Sequence, residues 1–221
     1  PPASLPDLAE VPLQPVERLG VDAAILFSDI VVPLQGMGVD LDVVEGIGPV
    51  IRSPVCEPEH VAALRELAPE DDIGYVLEAI RMVRGRLPEG IPLIGFSGAP
   101  FTLATYLIEG RPSRDYSTTK TLMYSRPELW RSLMERLSAM VVTYLRAQVD
   151  AGVQVVQLFD SWIGWLSPRD YARYVLPYSQ RIFRSLRDLS VPMVHFGTGT
   201  AGLLGQIKAA AEAGMSYDMM L

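Results

Sequence analysis

The strongest constraint on the fold is an alternation that runs along the chain. Short apolar or β-branched runs recur, separated by longer stretches of helical pattern. The runs are Ala23 to Phe27 (AAILF), Pro92 to Phe96 (PLIGF), Val153 to Phe159 (VQVVQLF) and Pro192 to Phe196 (PMVHF). Near-continuous apolar strands with long crossover helices imply a parallel sheet covered by helices. The helices are expected over Leu8 to Leu19, in a short turn from Pro58, and from Glu70 and Asp71 to about Arg86. Another follows the loop Ser97-Gly98-Ala99-Pro100 and runs through Tyr106. A long one runs from Pro127 to about Ala151, ended by Gly152. Pro168 to about Leu186 and Gly199 to Ala213 complete the set, with a short hairpin around Gly46 to Val50. Met215 to Leu221 is a possible fifth parallel strand. An open doubly wound sheet and a (β/α)8 TIM barrel both fit this α/β pattern. A whole barrel needs eight strands and typically about 250 residues, so on the barrel reading these 221 residues cover only part of one. No repeat or linker divides the chain, and a single domain over 1–221 is expected.

Composition narrows the function classes. About half of the residues are apolar (49%), enough for a sizeable core at this length. No run reaches the roughly 20 apolar residues of a membrane span. The net charge of −7 argues against nucleic-acid and anionic-membrane partners. An anionic small molecule stays open, because a local arginine cluster can bind it inside an acidic protein. Cys56 is the only cysteine, so neither an intramolecular disulfide nor a four-cysteine zinc site can form. Neither His60 nor His195 stands at metal-ligand spacing with it. A cytoplasmic protein without a metal is the expectation.

In either architecture ligands bind at the C-terminal ends of the strands. Those ends are Phe27-Ser28-Asp29, Phe96-Ser97-Gly98-Ala99-Pro100, Phe159-Asp160-Ser161-Trp162 and His195 to Thr200. Asp29 reads either as a turn or cap aspartate or as a functional carboxylate. Ile30-Val31-Val32-Pro33 is a poor helix start, which weakens the cap reading, and a carboxylate buried on an apolar strand end needs a partner. Asp160 and Ser161 form a second polar pair. Tyr106 reads first as helix packing with a locally satisfied hydroxyl, and His195 reads first as structural. The stretch Gly197-Thr198-Gly199-Thr200-Ala201-Gly202 is a literal G-x-G-x-x-G. It lies far from the first βα turn, where the dinucleotide fingerprint belongs. The simpler reading is a glycine-rich turn able to hold an anion. No G-x-S-x-G elbow occurs.

Three longer stretches carry a resemblance. Gln14-Pro15-Val16 with Gly20 to Ile30, Gly95 to Tyr106 with Glu109-Gly110, and Gln157 to Ser161 resemble, in order, the signatures of the uroporphyrinogen decarboxylase family. The resemblance spans nearly all of residues 7 to 214. It implies a (β/α)8 barrel, usually a homodimer, that removes the four acetate carboxyl groups of uroporphyrinogen without a metal or organic cofactor. It gives Asp29 the role of catalytic carboxylate, binding pyrrole NH groups and stabilising the cation of a protonated pyrrole. Tyr106 and Ser161 are implied as hydrogen-bonding residues, and Phe27, Phe96 and Phe159 as apolar walls of the substrate site. The family's upstream arginine-rich segment and its histidine-containing segment near the C-terminus have no counterpart in these residues. The expected barrel is therefore incomplete at both ends, and its main carboxylate clamp is missing. Two alternatives are a corrinoid or thiol methyltransferase of the same barrel, which would carry His-x-Cys where His195-Phe196-Gly197 stands, and a non-catalytic tetrapyrrole-binding protein.

Overall fold

The structure is a computed structural model and describes residues 9–213. Its strands are β1 (Ala24–Ile25), β2 (Leu41–Val44), β3 (Gly48–Ile51), β4 (Leu93–Gly98), β5 (Val155–Asp160) and β6 (Met193–Gly197). Its helices are α1 (Leu13–Leu19), α2 (Val32–Gly36), α3 (Pro58–Ala62), α4 (Pro69–Arg86), α5 (Pro100–Glu109), α6 (Ser117–Ser125), α7 (Pro127–Ala151), α8 (Pro168–Tyr174), α9 (Leu176–Leu186) and α10 (Leu204–Glu212).

Strands β1, β4, β5 and β6 form one parallel sheet in that order, and β2 and β3 form a separate antiparallel hairpin. Each new parallel strand joins the same edge. Among the described residues the order never reverses, so they hold no switch point of the kind a doubly wound sheet possesses. This is the wall of a (β/α) barrel, open among the described residues.

Register sorts the side chains onto two faces. Phe96, Gln157 and Val194 lie in one row, and Gly98, Phe159 and Phe196 in the next. Partners in register share a face. Much of this face is bare: Ile25, Phe27, Val194 and Phe196 are between 38% and 49% exposed, while Phe96 is buried. Leu93, Val156 and Leu158 point the other way and are buried under the helices.

Helix α7 explains much of that packing. Pro127 starts it, Gly152 ends it at φ 118, and Leu129, Leu133, Leu137, Val141, Tyr144, Leu145 and Gln148 make a buried stripe at helical spacing. Gln148 reaches β4: its amide nitrogen donates to the Phe96 carbonyl at 2.8 Å, and its oxygen accepts from the Phe96 N–H at 2.9 Å. Gly95 makes the approach possible. A Cβ there would stand 2.4 Å from the Gln148 oxygen and 2.9 Å from Val153.

Several expected boundaries move for identifiable reasons. The strands begin one or two residues later than their apolar runs, and β4 continues through Ser97-Gly98. Pro12 interrupts the first expected helix, so α1 begins at Leu13; Leu8 lies outside the described residues. The expected helix 168–186 breaks at Val175 (φ −127, ψ −50), because Pro177 removes an N–H and crowds the carbonyl one turn back. The last expected helix opens as a 3-10 turn over Ala201–Leu203. Helix α6 was not expected from the pattern. The possible strand Met215 to Leu221 lies outside the described residues.

Candidate active site at the strand ends

Asp29 lies four residues beyond the end of β1 and is exposed, so it bears no burial cost. Its Oδ1 accepts from the Val31 N–H at 3.1 Å, and its carbonyl from Val32 N–H at 3.1 Å. The poor helix start is therefore corrected: α2 begins at Val32, and Asp29 shapes the turn that leads into it. Turn former and functional carboxylate are compatible, because one main-chain donor leaves the second oxygen available.

Tyr106 is half-buried on α5. Burial raises the pKa of its hydroxyl, the charge of Asp29 raises it further, and a hydrogen bond from Trp162 acts in the opposite direction. The two residues are 77 positions apart in sequence, and the fold brings them within electrostatic reach. The aromatic strand ends also converge. Phe96 meets Phe159 edge-on with ring centres 5.2 Å apart, and Phe159 meets Phe196 at 5.1 Å. Phe27 stands on the same face, outside β1 and about half exposed. Phe196 belongs to this wall, although only the other three phenylalanines were expected in the site.

Ser161 is half-buried just past β5. Its carbonyl accepts from the Thr198 hydroxyl, which ties the end of β5 to the glycine-rich turn after β6. That turn packs hard against the segment following Ser161. A Cβ on Gly164 would come 2.2 Å from the Thr198 carbonyl oxygen. The turn opens a 3-10 segment instead of an α-helix, so it lacks the helix N-terminus on which a dinucleotide's pyrophosphate rests.

Asp160 does not join Ser161 at the mouth. Its side chain is fully buried on the helix-covered face, with His195 Nε2 3.5 Å from its Oδ2. The Thr102 hydroxyl lies 3.3 Å from Asp160 Oδ1 and 3.4 Å from the Trp162 N–H that donates to it. His195 packs against Phe183 of α9. The pair thus braces the strand end from behind. Strand alternation was the signal for this, since Asp160 follows mouth-facing Phe159.

Sequence reasoning also missed an aromatic cluster beside Tyr106. Trp162 lies 6.4 Å from the Tyr106 ring and 5.8 Å from Tyr116, which in turn lies 6.1 Å from Trp165. Elsewhere, Cys56 Sγ lies 3.6 Å from His60 Nδ1, so these two residues do meet. No group of three or more His, Cys, Asp or Glu that could hold a metal forms among the described residues. No helix among them is long and apolar enough to cross a membrane.

A family model described as uroporphyrinogen decarboxylase (URO-D) matches residues 4–220. The chain belongs to the uroporphyrinogen decarboxylase family. Uroporphyrinogen decarboxylases of Thermus thermophilus and Nocardia farcinica are 57% and 53% identical to it, over 95% and 94% of its length. The chain spans 61% and 57% of those two relatives' own lengths. Among solved structures, a methyltransferase from Methanosarcina mazei superposes with a TM-score of 0.78 at 19% identity. The match covers 94% of this chain and 61% of that one. At that identity the likeness speaks to the fold alone, which this chain and that methyltransferase share.

Proposed function

We propose that this chain carries the central part of an enzyme that converts uroporphyrinogen to coproporphyrinogen by removing its four acetate carboxyl groups. The observation that carries the reading is the placement of Asp29. An exposed carboxylate follows the C-terminal end of β1, two residues beyond Phe27, and its charge helps to raise the pKa of the Tyr106 hydroxyl.

The chemistry needs such an anion. Protonation of a pyrrole α-carbon gives a ring cation. The bond from the acetate methylene to its carboxylate then breaks, carbon dioxide leaves, and the bonding pair neutralises the ring. Protonation of the resulting methylene carbon and loss of the added ring proton give a methyl group on an aromatic pyrrole. Net, one proton replaces one carbon dioxide. Asp29 accepts hydrogen bonds from the pyrrole NH groups and stabilises the cation. Tyr106 and Ser161 hydrogen-bond substrate or Asp29, and Phe27, Phe96 and Phe159 keep water from the reacting ring. No metal or organic cofactor takes part. A homodimer and a cytoplasmic setting accompany this reading; the free, exposed thiol of Cys56 suits a reducing compartment. The methyltransferase alternative is weakened because His195 faces the helices and not the mouth.

The test is turnover of uroporphyrinogen III by the full-length protein and by Asp29→Asn. The variant is expected to lose at least about a hundredfold in kcat/KM, the scale of a lost preorganised electrostatic contact. Turnover like that of the unmodified protein would remove Asp29 from the mechanism.

A further inference from the structure

A cleft of about 360 Å³ opens beside Tyr106, and of its lining residues the reading above uses Tyr106 alone. Its walls are the rings of Tyr106, Tyr116, Trp162 and Trp165, and Arg111 and Arg114 also line it. Both arginines are exposed on the short stretch between α5 and α6. Neither forms an ion pair with a described residue, so both guanidinium groups are open to a ligand. The acids closest in sequence make their described hydrogen bonds to other groups. Glu109 accepts from the main chain and hydroxyl of Thr119, and Asp115 from the Ser117 N–H.

Tyr116 is the second sign of a built site. Its backbone is left-handed (φ 55, ψ 37), the one non-glycine residue with positive φ among the described residues. Such conformations are strained and gather at ligand sites. Here the strain sets a buried ring against both tryptophans.

We infer that this cleft seats one carboxylate-bearing arm of the substrate, with Arg111 and Arg114 binding the carboxylate and the aromatic walls flanking the pyrrole that carries it. The inference rests on the tetrapyrrole reading. Guanidinium forks match carboxylate geometry, and stacked rings suit a flat π-system. Tyr106 connects the two places, since it lines the cleft and feels the charge of Asp29. A ring held at Asp29 therefore has a cationic seat for a neighbouring arm, in a protein whose overall charge repels such a substrate.

The experiment pairs turnover of uroporphyrinogen III with binding of oxidised uroporphyrin, followed by quenching of tryptophan fluorescence. The full-length protein is compared with Arg111→Gln/Arg114→Gln and with Arg111→Lys/Arg114→Lys. The glutamine variant is expected to raise KM and weaken uroporphyrin binding by at least about tenfold, with kcat within about twofold, and the lysine variant to recover part of the loss. Normal turnover by the unmodified protein with unchanged KM and binding in the glutamine variant would overturn the inference and leave the decarboxylase reading standing. Arginine-dependent uroporphyrin binding without turnover would do the reverse. Absence of both binding and turnover would overturn both.

Discussion

Gln148 closes a two-way hydrogen-bonded clasp on the main chain of Phe96. Its carboxamide donates to the carbonyl and accepts from the N–H, and all these groups are buried. Strand β1 ends at Ile25, whose register partner on β4 is Ile94, so two residues on a helix side chain supplies the pairing. Gln148→Leu would leave two buried main-chain groups without partners, at about 1–3 kcal/mol each. A loss of roughly 3 kcal/mol in urea unfolding is expected. A change below about 0.5 kcal/mol would mean that the clasp contributes nothing. Gly95→Ala should lose a similar amount, because the added methyl occupies the space of the clasp.

The pair Asp160 and His195 should behave as one unit. Both side chains are buried, with the closest nitrogen and oxygen 3.5 Å apart. Asp160 Oδ2 and the His195 ring nitrogens make no hydrogen bond at this distance, so the two are held by proximity and packing, and Asp160→Ala or His195→Ala should each lower stability by about 1–3 kcal/mol. A double-mutant cycle should show coupling above about 1 kcal/mol. Additive losses would show that the two are independent. Because Thr102 connects Asp160 to the Trp162 main chain, the aspartate variant should also alter tryptophan fluorescence in the native state.

Tyr106→Phe tests the hydroxyl separately from the ring. The ring's packing against Trp162 is kept, so stability should change by less than about 1 kcal/mol. The hydroxyl, whose pKa the Asp29 charge helps to raise, is lost, and kcat/KM for uroporphyrinogen should fall about tenfold or more. Full activity in this variant would leave Tyr106 as a wall residue only.

Alkaline stability follows in part from buried tyrosines, three of which are shifted furthest. Burial pushes the Tyr116 hydroxyl up to about 12, with Tyr106 and Glu109 adding to the shift, and burial also raises Tyr144 and Tyr171. An unfolded tyrosine titrates near 10. Between about pH 10 and 12 the unfolded chain loses these protons while the native chain keeps them, so stability is complete below pH 10 and falls as pH rises. Urea midpoints across that range should decline, and more gently in Tyr116→Phe. An equal slope in the variant would show that Tyr116 has no part in it.

The parallel sheet was legible because its strands are apolar on both faces and its helices open with proline: Pro58, Pro69, Pro100, Pro127 and Pro168 all stand in first turns. The strand-end rule likewise led to Asp29 and to the phenylalanines. The faces were harder. Asp160 and Ser161 were paired because they adjoin in sequence, but a strand sends neighbours to opposite sides, and only Phe159's direction shows which. The aromatic cleft was not readable at all. Tyr106, Tyr116 and Trp162 come from separate segments, and Tyr116 reaches the others through a backbone conformation that no local pattern announces.

The bare sheet face also bears on how such a chain is made. Strands that add in sequence order can dock one βα unit after another as they leave the ribosome, with little waiting for distant partners. Ile25, Phe27, Val194 and Phe196 gain nothing from that early docking. Until something covers them, these side chains form an adhesive surface, and the yield of native protein becomes a race between covering it and aggregation.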